Sequence, residues 1–249
     1  MPVSPCSIRS VSSGGHLSQH HWHRGGPAKW TYFYLYVILD VFSRYVVGWT
    51  VAHRESAALA KKLIEETCER QKIEPAMLTI HADRGPSMTS KSVAFLLADL
   101  GVTKSHSRPY VSDDNPFSEA QFKTLKYRPD FPERFGCFED TRAHCADFFG
   151  WCNHEHHHSG LAMLTPFDVH YGLAEQRLAE RKVVLTAAYL AHPERFPHGP
   201  PSVPHPPAEV WINKPNLAPG SVDALETRSD RSPVASAVTG APLDNPPIH

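Results

Sequence analysis

The stretch Thr31-Tyr32-Phe33-Tyr34-Leu35-Tyr36-Val37-Ile38-Leu39, followed by Asp40-Val41-Phe42-Ser43-Arg44, decides the type of fold. Its first part is aromatic, aliphatic and β-branched throughout, which is typical of a buried strand. The polar residues after Leu39 turn the chain, and residues 45–51 are again mostly apolar. The segment therefore predicts an antiparallel hairpin.

Helical and strand patterns alternate after this hairpin. A helix that begins after Ser56 has its apolar residues on one face, and a second amphipathic helix over residues 90–100 ends at Gly101. Short apolar segments over residues 77–81 and 102–107 predict strands, and further helices are predicted from Asn115 and over residues 139–153. This order predicts an α/β fold, a mixed sheet with helices packed on it.

Composition limits the class of protein. With 249 residues the chain is long enough for one α/β domain and additional segments. Its five cysteines form no paired framework, so we expect reduced thiols in a cytoplasmic protein. No apolar run reaches the roughly 20 residues that a membrane span needs, so we expect no membrane association.

The two ends of the chain differ from its centre. Residues 1–26 are rich in Ser, Gly and His and predict an irregular leader. Residues 173–199 predict a helical extension. Eleven of the 23 prolines lie at or after Pro200, so residues 200–249 predict a disordered tail.

Two carboxylates suggest a chemical function. Asp83 follows a predicted strand in Ile80-His81-Ala82-Asp83-Arg84-Gly85, and Glu119 lies one turn into a predicted helix, with 35 residues between them. Oxygen ligands from two such elements can hold Mg²⁺ for phosphoryl transfer. The alternatives are a turn residue before Gly85 and a solvated glutamate paired with Lys123.

The helix that carries Glu119 has two distinct faces. Phe117, Phe122 and Leu125 form an apolar stripe. Glu119, Lys123 and Lys126 follow a spacing of three to four residues on the adjacent face. A metal site bordered by a phosphate-binding track would have this pattern.

Taken together, these segments resemble the integrase catalytic core of insertion-sequence transposases, a retroviral-integrase-like family of the Asp-Asp-Glu type. The similarity runs from about Gly26 to Gly172, with a weaker echo at 210–213. Its motifs are residues 34–44, Val47-Gly48-Trp49, His81-Ala82-Asp83-Arg84-Gly85, residues 105–109, Asp114-Asn115-Pro116-Phe117-Ser118-Glu119, Tyr127, residues 151–160 and Leu164-Thr165-Pro166.

The resemblance implies a ribonuclease-H-like fold with its catalytic core over residues 27–172. It also implies DNA integration or transposition by strand transfer with Mg²⁺, for which Mn²⁺ can substitute. Asp83 and Glu119 would be catalytic metal ligands, and the DNA contacts would be Lys104, Arg108, Lys123 and Lys126. The implied partners are DNA, as transposon ends and target, and further copies of the chain assembled on that DNA.

The sequence departs from the family at its first catalytic aspartate. Counting back from Trp30 places that residue near His20 or His21, yet no Asp or Glu occurs in residues 1–39. We therefore expect the opening central strand to be missing or degenerate, and the enzyme to be a truncated or impaired copy. Asp40 is a candidate third ligand, with organisation of the hairpin turn beside Ser43 and Arg44 as the alternative.

Two other functions stay open. The chain could bind nucleic acid or a transposase partner without catalysis, because the helix of Glu119 and its lysines are present. A zinc-stabilised module is the third alternative, since Cys and His residues cluster at Cys137, His144, Cys145, Cys152, His154 and 156–158. No Cys-x₂-Cys pair followed by a His pair at finger spacing supports it, and Cys145 and Cys152 are predicted to face the core.

The leader has a testable origin. We expect residues 1–26 to come from a shifted reading frame or a spliced start that was joined to a genuine core. Translation of the upstream DNA in all frames should then reveal an Asp-Ile-Thr-like strand. If no frame encodes such a strand, this explanation is wrong.

Overall fold

One mixed sheet organises the molecule. The computed structural model describes residues 8–13, 32–73, 78–82, 90–106 and 116–212. The sheet contains β1 (Ile8–Ser13), β2 (Tyr34–Asp40), β3 (Val46–Ala52), β4 (Thr79–Ala82) and β5 (Thr103–His106), in the order β3-β2-β1-β4-β5. The pairs β3–β2 and β2–β1 are antiparallel, whereas β1–β4 and β4–β5 are parallel. The predicted hairpin and mixed sheet are confirmed.

The helices connect and cover these strands. They are α1 (Ala57–Arg70), α2 (Lys91–Asp99), α3 (Pro116–Lys126), α4 (Phe138–His154), α5 (Pro166–His170) and α6 (Ala174–Ala191). Short 3₁₀ turns lie at Ser159–Leu161 and Pro193–Arg195. Ser90 caps α2 by accepting a hydrogen bond from the Val93 amide, whereas the Ser56 side chain makes no capping bond to α1.

Side chains of β2 alternate between two cores. Tyr36 and Ile38 pack in a first cluster with α1 and α2. Leu35, Val37 and Leu39 pack in a second cluster with α3 and α4. The sheet therefore separates two helical layers, and β2 is buried on both faces as its uninterrupted apolar sequence predicts.

The opening strand requires a correction. The expectation that it is missing is wrong, because Ile8–Ser13 pairs with β2 on one side and β4 on the other. Its composition is nevertheless degenerate, with Ile8 and Val11 as the only apolar residues and no carboxylate. Backbone hydrogen bonds from both neighbours define this strand, so tertiary pairing outweighs its weak side-chain pattern.

Several predicted segments fall partly or wholly outside the described residues. Leu17, His20 and His21 lie outside them, as do residues 213–249 of the proline-rich tail. Residues 200–212 contain no helix or strand. The domain boundaries at 26, 172 and 199 stay predictions.

Gly48 of β3 marks a close approach between the sheet and α1. A Cβ placed there would overlap the Thr67 hydroxyl, and Thr67 is buried. We predict that Gly48→Ala lowers the free energy of unfolding by about 1–3 kcal/mol through overpacking. Urea denaturation measures the change.

Gly150 of α4 supplies the matched control, because a Cβ there meets no atom within 4 Å. Gly150→Ala should leave stability unchanged or raise it by up to about 1 kcal/mol, since alanine favours a helix interior. Equal effects of the two substitutions would contradict the packing of α1 on β3.

Candidate active site

Helix α3 presents Glu119. Leu125 and Ser118 are buried, and Phe117 and Phe122 pack against the second cluster from half-buried positions. Glu119 is exposed in the first turn, where the helix dipole favours a negative charge. The apolar stripe therefore fixes the helix and directs the other face to solvent, as its spacing predicts.

Strand β4 leads to Asp83. Ile80 and Ala82 are almost fully buried, and β4 lies between β1 and β5, parallel to both. Ligands of α/β sheets bind beyond the carboxyl ends of such strands. Asp83 follows Ala82 directly in the sequence but lies outside the described residues, so its role as a ligand stays a prediction.

The fold brings these elements together through β1. Helix α3 packs on β1, and β1 is the direct neighbour of β4. Carboxylates are the ligand type that Mg²⁺ and Mn²⁺ prefer, so Glu119 and Asp83 fit such an ion in chemistry. Strand β1 contains no acidic residue, so there are two candidate carboxylate ligands where the resemblance implies three.

The Asp40 carboxylate belongs to a buried hydrogen-bond network. Its Oδ1 accepts from the Phe42 amide at 3.1 Å, and its Oδ2 accepts from Ser43 Oγ at 2.8 Å. His170 Nδ1 of α5 lies 2.9 Å from the same Oδ2, and Gln71 Oε1 lies 3.1 Å from the other ring nitrogen. The structure thus shows Asp40 organising the hairpin turn and joining it to α5.

The location of Asp40 also separates it from the candidate metal ligands. It pairs with Arg9 of β1, whereas Ala82 of β4 pairs with Val11. Asp40 therefore lies two strands away from β4 and nearer the opposite end of the sheet. Side chains alternate between the two faces of a strand, so Asp40 is on the same face as Tyr36 and Ile38. That face is toward α1 and α2 rather than α3.

Removal of the Asp40 charge tests this assignment. Asp40→Asn replaces an acceptor oxygen by a donor amide beside Ser43 Oγ, the Phe42 amide and His170. We expect the free energy of unfolding to fall by about 1–3 kcal/mol, since a buried polar group that loses its hydrogen-bond partner costs about that much. Urea denaturation measures the loss, and Asp99→Asn at an exposed position is the control.

The same variant should still bind Mn²⁺, at most several-fold more weakly than the unmodified protein, because Asp40 orders the turn and does not hold the ion. Electron paramagnetic resonance of the free ion measures the binding. Preserved stability together with lost Mn²⁺ binding would instead identify Asp40 as a ligand.

The predicted DNA contacts are only partly visible. Lys123 is exposed, and Lys126 is half-buried with its ammonium 5.3 Å from the centre of the Tyr127 ring. Lys104 lies on β5, and Arg108 is outside the described residues. All four stay predicted contacts.

The cysteines of α4 are core residues. Cys145 and Cys152 are buried in the second cluster, and burial raises the pKa of each thiol to about 12. Gln121 Nε2 donates to Cys152 Sγ at 3.5 Å. Among the residues that the structure describes, no three His, Cys, Asp or Glu side chains are grouped to hold a metal ion.

The histidines after α4 shape a loop. His157 Nδ1 lies 2.9 Å from the Met163 carbonyl oxygen, and His158 Nδ1 accepts from the Gly160 amide at 3.2 Å. His158 also forms a backbone bridge with Leu164. The pKa of His158 is lowered mainly by burial and, to a smaller extent, by the charge of Arg44.

Sequence reasoning missed the partners of the hairpin turn. Arg44 is placed over Phe117, and Asn153 pairs with the backbone of Val46 through two hydrogen bonds of 2.9 and 3.1 Å. The signal available in the sequence was the polar run Asp40, Ser43 and Arg44 beside a buried strand. It does not reveal distant partners such as His170.

None of the helices in the described part of the chain is both long and apolar enough to cross a membrane.

Two family models, each described as an integrase core domain, match residues 13–112 and 100–166. The transposase for insertion sequence element IS904 of Lactococcus lactis is 30% identical over 146 residues, which are 57% of this chain and 56% of the relative. Transposase InsF for insertion sequence IS3A of Escherichia coli is 29% identical over 154 residues, or 56% and 53% of the two chains.

The chain thus spans about half the length of the curated relatives it matches. Among solved structures, the catalytic core domain of BIV integrase is similar at 19% identity, with a TM-score of 0.47 and coverage of 69% of this chain and 97% of that one. The two family models overlap and together match residues 13–166 to an integrase core domain.

Proposed function

We propose that this integrase core acts in DNA transposition, by metal-dependent phosphoryl transfer at DNA ends. The observation that carries the proposal is the packing of α3, which presents Glu119, on β1 beside the strand that leads to Asp83. The similarity to named transposases supports the reaction class.

Asp83 and Glu119 would hold the ion in this proposal. When bound, Mg²⁺ or Mn²⁺ would lower the pKa of the attacking water or 3′-hydroxyl and stabilise the leaving oxygen. Lys123 and Lys126 lie about one and two turns beyond Glu119 on the same helix. They would bind backbone phosphates and hold the DNA strand in register, with Lys104 and Arg108 as further contacts.

The proposed partners follow from this chemistry. Transposon ends and target DNA are the substrates, and several copies of the chain would assemble on them. The reduced thiols expected from the cysteine content are consistent with action in the cytoplasm.

We further propose that catalysis is impaired. The resemblance requires a carboxylate on the central strand, and β1 has Ile, Arg, Val and three Ser residues. Two ligands hold a divalent ion less firmly than three. The second candidate function is binding of nucleic acid or a transposase partner without catalysis. The lack of a carboxylate on β1 favours it.

A DNA-joining assay separates the two. Labelled duplexes with free 3′ ends are incubated with plasmid target and Mg²⁺ or Mn²⁺. We expect slow joining that Asp83→Asn and Glu119→Gln each reduce by roughly 100-fold or more, because loss of a metal ligand costs several kcal/mol of transition-state stabilisation. No joining, with salt-dependent DNA affinity unchanged in both variants, would favour the binding protein.

We infer a place for the third carboxylate from the register of β1, which differs from the position near His20 or His21 that the family spacing predicts. Ser12 pairs with Val37, whose side chain packs in the cluster with α3. Directly paired positions share a face of the sheet. Val11 pairs with Ala82, the last residue of β4, so position 12 lies one residue beyond the end of the β1–β4 pairing.

We predict that Ser12→Asp raises the joining rate at least about tenfold, since one added ligand is worth more than 1.4 kcal/mol. Ser12→Asn has the same size without a charge and should give no increase. Equal rates for the two variants would contradict the assignment of position 12.

A further inference from the structure

Arg44 has an unusual backbone conformation at the end of the hairpin turn. Its φ is 63°, in the left-handed region that glycine adopts readily and other residues seldom do. The Arg44 amide donates to the Asp40 carbonyl at 2.8 Å, and the Asp40 amide donates to the Tyr45 carbonyl at 2.9 Å. A turn alone would favour glycine here, so the arginine side chain requires a separate explanation.

The guanidinium of Arg44 contacts the helix that carries Glu119. Its central carbon lies 3.8 Å from the centre of the Phe117 ring, and Nη1 donates to the Val41 carbonyl. Phe117 is in the first turn of α3, two residues before Glu119. A cation over an aromatic face in a partly buried site is a favourable contact.

The base of this contact is rigid. Asp40, Ser43 and His170 form the buried network described above, which fixes the turn against α5. Burial lowers the pKa of Arg44 to about 10, and the charge of Asp40 opposes that shift, so the guanidinium remains a cation at neutral pH. Arg44 thus links a fixed turn to the start of α3.

We propose that Arg44 is a positioning residue for Glu119, which it holds in place by binding Phe117 and so fixing the first turn of α3. The contact between Arg44 and Phe117 does not depend on the proposed function. Its effect on metal binding by Glu119 does rest on that function. The structure therefore assigns the turn between β2 and β3 a role in arranging the active site.

The test uses two substitutions of Arg44 in the full chain. Arg44→Gly relieves the left-handed backbone and removes the side chain. If Arg44 served only the turn, this variant would be at least as stable as the unmodified protein. Arg44→Lys keeps the charge but lacks the planar fork, so it should rescue only part of the contact. Arg54→Gly, at an exposed position, is the control.

Hydrogen exchange of α3 is the first measurement. The amides of residues 120–122 bond to carbonyls of the first turn in an α-helix. We expect them to exchange about three- to thirtyfold faster in Arg44→Gly, while the amides of α1 and α2 are unchanged. Phe117→Leu should give the same effect, and the double variant should add little to either change. Unchanged exchange in α3, or equal acceleration in all helices, would overturn the proposal.

Mn²⁺ affinity is the second measurement and separates the two proposals. If the unmodified protein binds Mn²⁺ through Glu119, Arg44→Gly should weaken binding several-fold, and Arg44→Lys should weaken it less. Glu119→Gln without effect on Mn²⁺ would overturn the proposed function alone, and hydrogen exchange would still decide the role of Arg44. Mn²⁺ binding that depends on Glu119 but not on Arg44 would overturn the positioning role.

Discussion

The buried contact between Asp40 and His170 is the interaction on which the arrangement of the site depends. A carboxylate in an apolar interior is costly unless its oxygens are satisfied, and the serine, the backbone amide and the imidazole around Asp40 satisfy them. Tyr45 stacks on the His170 ring with centroids 4.5 Å apart, and Asp40 and His170 are both buried. The hairpin turn is therefore held at one place relative to α5.

Contacts with that turn and with the second cluster set the position of α3, the helix that carries Glu119. Arg44 extends from the turn to Phe117, while Leu125 and Phe122 fix the rest of α3 against the second cluster. Strand β1 connects this helix to the rest of the candidate site. It contacts α3 and pairs with β4. A central strand of weak composition thus contacts both α3, which carries the proposed ligand Glu119, and β4, which precedes the proposed ligand Asp83.

Much of this architecture was predictable from local patterns. The apolar run of β2, the amphipathic faces of α1 and α2 and the stripe of α3 depend on residues close in the chain, and each was found near its predicted place. The strand Ile8–Ser13 was not, because its pairing rests on backbone hydrogen bonds that any sequence can make. The partners of Asp40 were not either, since His170 lies 130 residues further along the chain.

The sequence by itself determined the class of fold, the spacing of Asp83 and Glu119 and the absence of any acidic residue before Asp40. These are properties of residue type and separation, which folding does not alter. Only the tertiary structure decided that Asp40 serves the hairpin turn, that Cys145 and Cys152 serve the core and that Arg44 contacts the helix of Glu119. Each of those roles depends on which distant groups lie within hydrogen-bonding or van der Waals distance, and such distances are set when the layers pack on the sheet.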